Sequence, residues 1–153
     1  MGRCIGRYVR SLDEKNRVTL PSKLRKALMS PDEQSVVMLP GHEGCIYVHS
    51  VKRFVEEEAG AISGGATASR EQRQMRRSMA AAADEQDVDG QGRFILSDQL
   101  RDHAGIRKKG RMVFLGVMTF VEIWSQERYR ENVEPLLGRL DELTAKYLEE
   151  DGE

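Results

Sequence analysis

Long hydrophobic runs are missing from this 153-residue chain: no stretch reads as a membrane span, and no apolar signal-peptide core stands at the start. A cytoplasmic protein is the expectation. The only cysteines, Cys4 and Cys45, are isolated and lack any paired spacing. They read as reduced thiols rather than as a disulfide or a zinc site. The three histidines, His42, His49 and His103, have no H-x-x-x-H or C-x-x-C partner, and P-loop, G-x-S-x-G and dinucleotide fingerprints are absent. An enzyme therefore lacks its usual constellation, and neither a cofactor nor a metal is expected. One residual pair, Asp13 facing Asp89 as acid and base, is disfavoured because each has an arginine nearby to hold it ionised.

Net charge is also nearly absent, at -1, but its distribution is not even. Residues 1–30 hold eight basic side chains (Arg3, Arg7, Arg10, Lys15, Arg17, Lys23, Arg25, Lys26) against Asp13 and Glu14. Residues 126–153 hold four basic against nine acidic side chains. An electropositive front and an electronegative tail point to an anionic partner at one face.

What the chain does contain is a duplication. Leu12 to Arg25, LDEKNRVTLPSKLR, returns as Val88 to Arg101, VDGQGRFILSDQLR. At a constant offset of 76, Asp13 falls on Asp89, Arg17 on Arg93, Leu20 on Leu96, Leu24 on Leu100 and Arg25 on Arg101. Each half is of a size at which one core is marginal, so packing within the chain or between subunits is expected to supply the shortfall.

In chain order, Cys4–Val9 reads as a strand, Asp13–Asn16 as a tight reversal, and Arg17–Leu20 as the strand that resumes. Asn16 is matched by Gly92, and these two residue types most readily accept positive φ, which points to a left-handed turn position. A helix follows at Lys23–Met29, opened by Pro21-Ser22, and its counterpart runs from Ser97 to Ala104 with Ser97 or Asp98 as cap. Strands are expected at Val36–Leu39 and Cys45–His49 around a turn at Pro40–Gly44. In the second copy they fall at Met112–Leu115 and Phe120–Trp124, around a turn at Gly116–Thr119. Helices then begin at Ser50–Glu58 and Ser125–Glu131. Gly60–Thr67 reads as flexible and Ser69–Asp84 as a connecting helix. Leu136, Leu140, Leu143 and Tyr147 form an amphipathic stripe expected to pack on the second half or on a neighbouring subunit, with Glu149–Glu153 frayed.

The two D-x-x-x-R signatures, Asp13 to Arg17 and Asp89 to Arg93, are each followed by a strand and a Leu-x-x-x-Leu-Arg helix. With the Phe120-Val121-Glu122-Ile123-Trp124-Ser125 end of the second copy, they make the chain closely resemble the MraZ family of bacterial transcriptional regulators. That family is built from two tandem SpoVT-AbrB-type domains, and the likeness covers nearly the whole chain. The resemblance implies an α+β, mainly β fold: a double-split or swapped-hairpin β-barrel made by two tandem AbrB-like repeats. Helices follow each repeat, and an amphipathic helix ends the chain. It places repeat 1 at 5–56, a linker and connecting helix at 57–82, repeat 2 at 83–128 and the C-terminal helix with its acidic tail at 129–153. It further implies a closed homo-oligomeric ring, association with the nucleoid, and binding of double-stranded DNA. The target would be G-rich direct repeats in the promoter of the division and cell-wall gene cluster that includes the regulator's own gene. Two residues depart from the family pattern: Asn16 stands where glycine is usual, and Ser97 where proline is usual.

DNA binding needs Lys and Arg on one surface, and the arginine fork matches O6 and N7 of guanine. The candidate DNA contacts are Arg3, Arg7, Lys15, Arg17 and Arg25, which lie on strands and a turn rather than on a recognition helix. Asp13 with Arg17, and Asp89 with Arg93, read as ion pairs that pin the two turns, Arg17 having a binding role as well. The alternative is a ring-forming interaction scaffold without specific DNA binding, drawing on Phe114, Trp124 and the Leu136 stripe.

Overall fold

A computed structural model describes residues 3–59 and 69–151. The strands are β1 (Cys4–Ser11), β2 (Arg17–Thr19), β3 (Ser35–Pro40), β4 (Ile46–Ser50), β5 (Asp84–Asp87), β6 (Arg93–Ile95), β7 (Arg111–Met118) and β8 (Phe120–Ser125). The helices are α1 (Ser22–Leu28), α2 (Val51–Arg53, continued by a π-turn over Phe54–Ala59), α3 (Arg70–Ala82), α4 (Asp98–Ala104), α5 (Gln126–Asn132), α6 (Glu134–Leu137) and α7 (Leu140–Asp151). No described helix is long and apolar enough to cross a membrane.

Six strands form one antiparallel sheet in the order β1-β7-β8-β4-β3-β5, and β2 pairs with β6 as a separate two-stranded ribbon. The fold is thus mixed α and β, rich in antiparallel strands. The described ladders leave β1 and β5 as sheet edges and do not close into a barrel.

The tight reversal expected between the first two strands is present, but the strands it joins do not pair with each other. The chain does reverse at Asp13–Arg17, where the Asp13 amide donates to the Arg17 carbonyl at 2.9 Å and the Asn16 amide to that of Asp13 at 3.1 Å. The flanking strands nevertheless pair with the opposite half: β1 lies on β7, and β2 on β6. Both turn positions adopt positive φ, 60° at Asn16 and 84° at Gly92, which is why these two residue types stand there.

The exchange obeys the duplication. In β1 on β7, Ser11 is opposite Arg111; shifted by the repeat offset this pair becomes Asp87 opposite Ser35, the observed register of β5 on β3. Val18 opposite Phe94 maps onto itself, so a local pseudo-twofold axis passes through the ribbon. On the sheet the axis passes through Tyr47 opposite Glu122, where the offset has become 75.

One core serves both halves. The ribbon and helices α1 and α4 supply Val18, Leu20, Leu24, Phe94, Leu96 and Leu100, which pack against Met38, Ile46, Met112, Phe114 and Ile123 of the large sheet. On the sheet's other face Val113, Trp124 and Tyr129 bury a smaller cluster under α5. The helix starts follow their caps: Ser50, Ser97 and Ser125 accept from the amides of Arg53, Leu100 and Arg128. Ser97, the departure from proline, therefore supplies a capping oxygen in proline's place.

Several boundaries differ from expectation. β7 runs unbroken through Gly116, so the reversal falls at Met118 and Thr119. Gly116 is instead the point of closest approach to β1, where a Cβ would stand 2.5 Å from Cys4 C and Ile5 N. The connecting helix stops at Ala82, and the acidic stretch after it forms β5. The C-terminal helix continues to Asp151 rather than fraying at Glu149. Of the expected stripe, Leu136, Leu140 and Tyr147 are exposed in the single chain, as is Leu137, while Leu143 is half-buried. The expected flexible stretch Gly60–Thr67 lies outside the described residues.

Candidate nucleic-acid interface

Alternation along the ribbon decides which side chains it presents. Val18 and Phe94 point into the core, each 1% exposed, which turns Arg17 and Thr19 of β2 and Arg93 and Ile95 of β6 outward. Arg17 stands opposite Ile95 and Thr19 opposite Arg93, so the two arginines occupy diagonal corners of one small outer face. The ends of the ribbon are tied across the halves: Leu20 donates to the carbonyl of Gly92 at 2.8 Å, and Leu96 to that of Asn16 at 3.0 Å.

Each turn holds its arginine in the same grip. Asp13 Oδ1 accepts from the amides of Lys15 and Arg17 at 2.8 and 2.9 Å, while Oδ2 accepts from Arg17 Nε at 2.8 Å. Asp89 repeats this with the amides of Gln91 and Arg93, both at 2.9 Å, and Arg93 Nε at 2.8 Å. The amides of Arg17 and Arg93, joined by their guanidinium groups and the neighbouring turn amides, hold both carboxyls below the usual carboxylate range against the opposing effect of burial. Among the described residues the terminal amino groups of Arg17 and Arg93 make no other hydrogen bond. The acid takes Nε and leaves the planar Nη fork, the part that matches two acceptors on one base edge, pre-oriented and unengaged.

Three of the five sequence-derived contacts gather at these turns. Arg17 lies on the ribbon, Lys15 is exposed at the tip of the first turn, and Arg25 reaches from α1 to donate to the Gly90 carbonyl of the second turn at 3.4 Å. The other two lie along the sheet-edge strand: Arg3 is exposed just before β1, and Arg7 donates to the Tyr129 hydroxyl at 3.2 Å. Ile95, 48% exposed on the outer face, was not among the sequence candidates, although alternation around Phe94 was a sufficient signal for it. Among the described residues no group of three His, Cys, Asp or Glu side chains is placed to hold a metal ion.

The molecule is therefore a duplicated, pseudo-symmetric protein that displays a cationic two-stranded ribbon, of the width that a DNA major groove admits. Comparison with known sequences agrees with that class. The family profile described as "MraZ protein, putative antitoxin-like" matches residues 5–77 and 79–140, a break that falls inside α3. The chain belongs to the MraZ family. It is 36% identical over 131 residues to the transcriptional regulator MraZ of Lachnoclostridium phytofermentans, covering 84% of this chain and 85% of that protein. Proteins of the same name from Caldicellulosiruptor saccharolyticus and Pediococcus pentosaceus are each 32% identical, covering 91% and 95% of this chain and 97% and 96% of their own lengths.

Proposed function

We propose that this chain is a sequence-specific, double-stranded-DNA-binding transcriptional regulator whose β2–β6 ribbon reads short G-rich direct repeats. The repeats would lie in the promoter of the division and cell-wall gene cluster that includes its own gene. The observation that carries the proposal is the Asp–Arg grip, made once in each half, which engages Nε and leaves an arginine fork facing out of the ribbon. Arg17, Lys15 and Arg25 would supply the contacts around the turns, with Arg3 and Arg7 extending them along β1. The family's relatives, named as transcriptional regulators, support the same assignment.

The protein would act in the cytoplasm, at the nucleoid, as a closed homo-oligomeric ring. Support for the ring comes from apolar side chains with no cover in a single chain: Leu136, Leu137, Leu140 and Tyr147 at the C-terminal end, and Ile5 and Val9 on an edge strand. The crossing of first strands between repeats 5–56 and 83–128 supports the swapped-hairpin architecture, with 57–82 as connector and 129–153 as tail. A ring can present many modest contacts to repeated sites, so that they sum.

The test is a mobility-shift assay on the chain's own upstream sequence. Arg17→Ala should abolish the shift while circular dichroism and oligomer mass stay native. A variant that dissociates or unfolds would mark Arg17 as structural. The same exposed C-terminal residues favour, as a second possibility, a ring that serves as a protein scaffold. Equal retardation of upstream and unrelated DNA by the native protein would select it.

A further inference from the structure

The offset that relates the two halves also relates the two free edges of the large sheet. Tyr8, Val9, Arg10 and Ser11 of β1 answer to Asp84, Glu85, Gln86 and Asp87 of β5. The two edges carry opposite charge. Strand β1 and the adjoining α1 hold Arg7, Arg10, Lys23, Arg25 and Lys26 with no acid. Strand β5 and α4 hold Asp84, Glu85, Asp87, Asp98 and Asp102, and their one arginine, Arg101, is buried and held by Asp98.

One carboxylate on the acidic edge lacks a donor. Asp84 Oδ1 accepts from Gln86 Nε2 at 2.9 Å, whereas Oδ2 is buried with no hydrogen-bond partner. A buried acceptor left unpaired is costly, so a donor brought to it is favoured. Asp84 lines a hollow of about 330 Å³ together with Gln86, Ser97 and Gln99, and no residue around that hollow is basic. On the opposite edge, Arg10 donates to the carbonyl of its neighbour Val9 at 2.8 Å and pairs with no acid among the described residues.

Strand direction and side-chain facing bring these two groups into register. Every ladder of the six-stranded sheet is antiparallel, so β1 and β5 at its ends run in opposite directions. A second copy set beside the first in the same orientation therefore lays its β1 antiparallel to β5, continuing the alternation of the sheet. Residues directly opposite in a ladder share a face. Asp84 lies opposite Met38 and Arg10 opposite Met112, and both methionines belong to the core under the ribbon. Arg10 of the added copy thus arrives on the face of the sheet that carries Asp84 and its hollow.

We propose that the β5–α4 edge is a docking surface for a second copy of this chain, which presents its β1–α1 edge and places Arg10 against Asp84. The inference rests on the proposed ring and deepens it by naming the contact that builds it. Like edges repel, so the association is head to tail, the kind that closes into a ring when its rotation allows. Successive copies would then carry their ribbons on the same side of the sheet.

The experiment measures the mass of the full chain in solution by light scattering for the native protein, Asp84→Arg, Arg10→Asp and the double variant that combines them. Each single variant should fall toward the mass of one chain, and the double variant, with the pair exchanged, should regain the native mass. A purely structural role for either residue would not produce that rescue. The outward-facing amides of β1 and β5 should be protected from hydrogen exchange in the native assembly, a readout that holds whether or not the variants fold. A native assembly whose edge amides exchange freely would overturn the proposal, as would a double variant that stays dissociated while its circular dichroism is native. A native assembly that both single variants leave intact would sink this contact alone and turn attention to the exposed C-terminal leucines. A native chain that is monomeric would sink the ring and this contact together.

Discussion

Val18 stands directly opposite Phe94 in the ribbon, and each is the other's counterpart in the duplication. Both are 1% exposed and pack into a core shared by the two halves. Removing the larger side chain should therefore loosen both halves together. Phe94→Ala is expected to cost about 3–5 kcal/mol, with urea unfolding remaining a single transition by fluorescence and circular dichroism. Two separated transitions would mean that the halves hold independent cores.

At the first turn, Asn16 adopts φ 60° where its counterpart Gly92 adopts 84°. Asn16→Gly should leave stability within about 1 kcal/mol of native, because glycine enters this region without steric cost. Asn16→Val places a β-branched side chain in left-handed backbone and should lose about 1–2 kcal/mol or more. The shift in urea midpoint at constant slope distinguishes the two, and equal midpoints would contradict the turn geometry.

Gly116 lets β1 lie against β7. A methyl group here would meet backbone atoms of Cys4 and Ile5 at 2.5 Å, and backbone cannot swing aside as a side-chain tip can. Gly116→Ala should cost about 1–3 kcal/mol. Amide exchange should quicken first in β1, and uniform quickening across the sheet would argue against a local wedge.

Burial raises the Glu122 carboxyl above its ordinary value, the Trp124 indole, which donates to it at 3.0 Å, opposes that shift, and nearby Glu43 adds to it. A folded-state pKa above the unfolded one contributes stability that is fully present below the unfolded value of about 4.3 and is lost as pH rises through the raised folded value. Glu122→Gln removes this titration. Relative to the native protein, the variant should gain stability as pH is raised from 4 to 7 in denaturation experiments. A stability difference that does not vary with pH would show that burial of this carboxyl is not felt.

Much of this architecture can be read from the chain, and the failures have physical causes. The two turns were legible because Asp, Asn and Gly carry local chemistry that fixes a reversal whatever surrounds it. The partners of the flanking strands were not, since a short strand beside a turn looks the same whether it pairs across that turn or with a distant copy. Strand β5, Asp84-Glu85-Gln86-Asp87, has no apolar alternation to announce it. Its conformation follows from the free edge of β3, a tertiary influence that local propensity does not contain. Gly116 was read as a turn residue because glycine often is one, whereas its absent side chain serves a close contact 112 residues back in the chain, at Cys4. In the candidate interface, Arg17 and Lys15 followed from charge and turn chemistry. The reach of Arg25 over Gly90 required the halves to be folded together first.

Joining both halves in one polypeptide has a consequence for what the ribbon, in its proposed role, would discriminate. Two identical chains would be obliged to offer identical turns, and a twofold reader of that kind suits a palindrome. Here the fused copies have drifted apart: Lys15 is answered by Gln91, and Arg25, free to lean across its neighbour, by an Arg101 that is 8% exposed and held by Asp98 and the Leu96 carbonyl. The ribbon consequently has a left and a right end that differ in charge, and under the proposed function a reader of that sort would tell the direction in which a site is written.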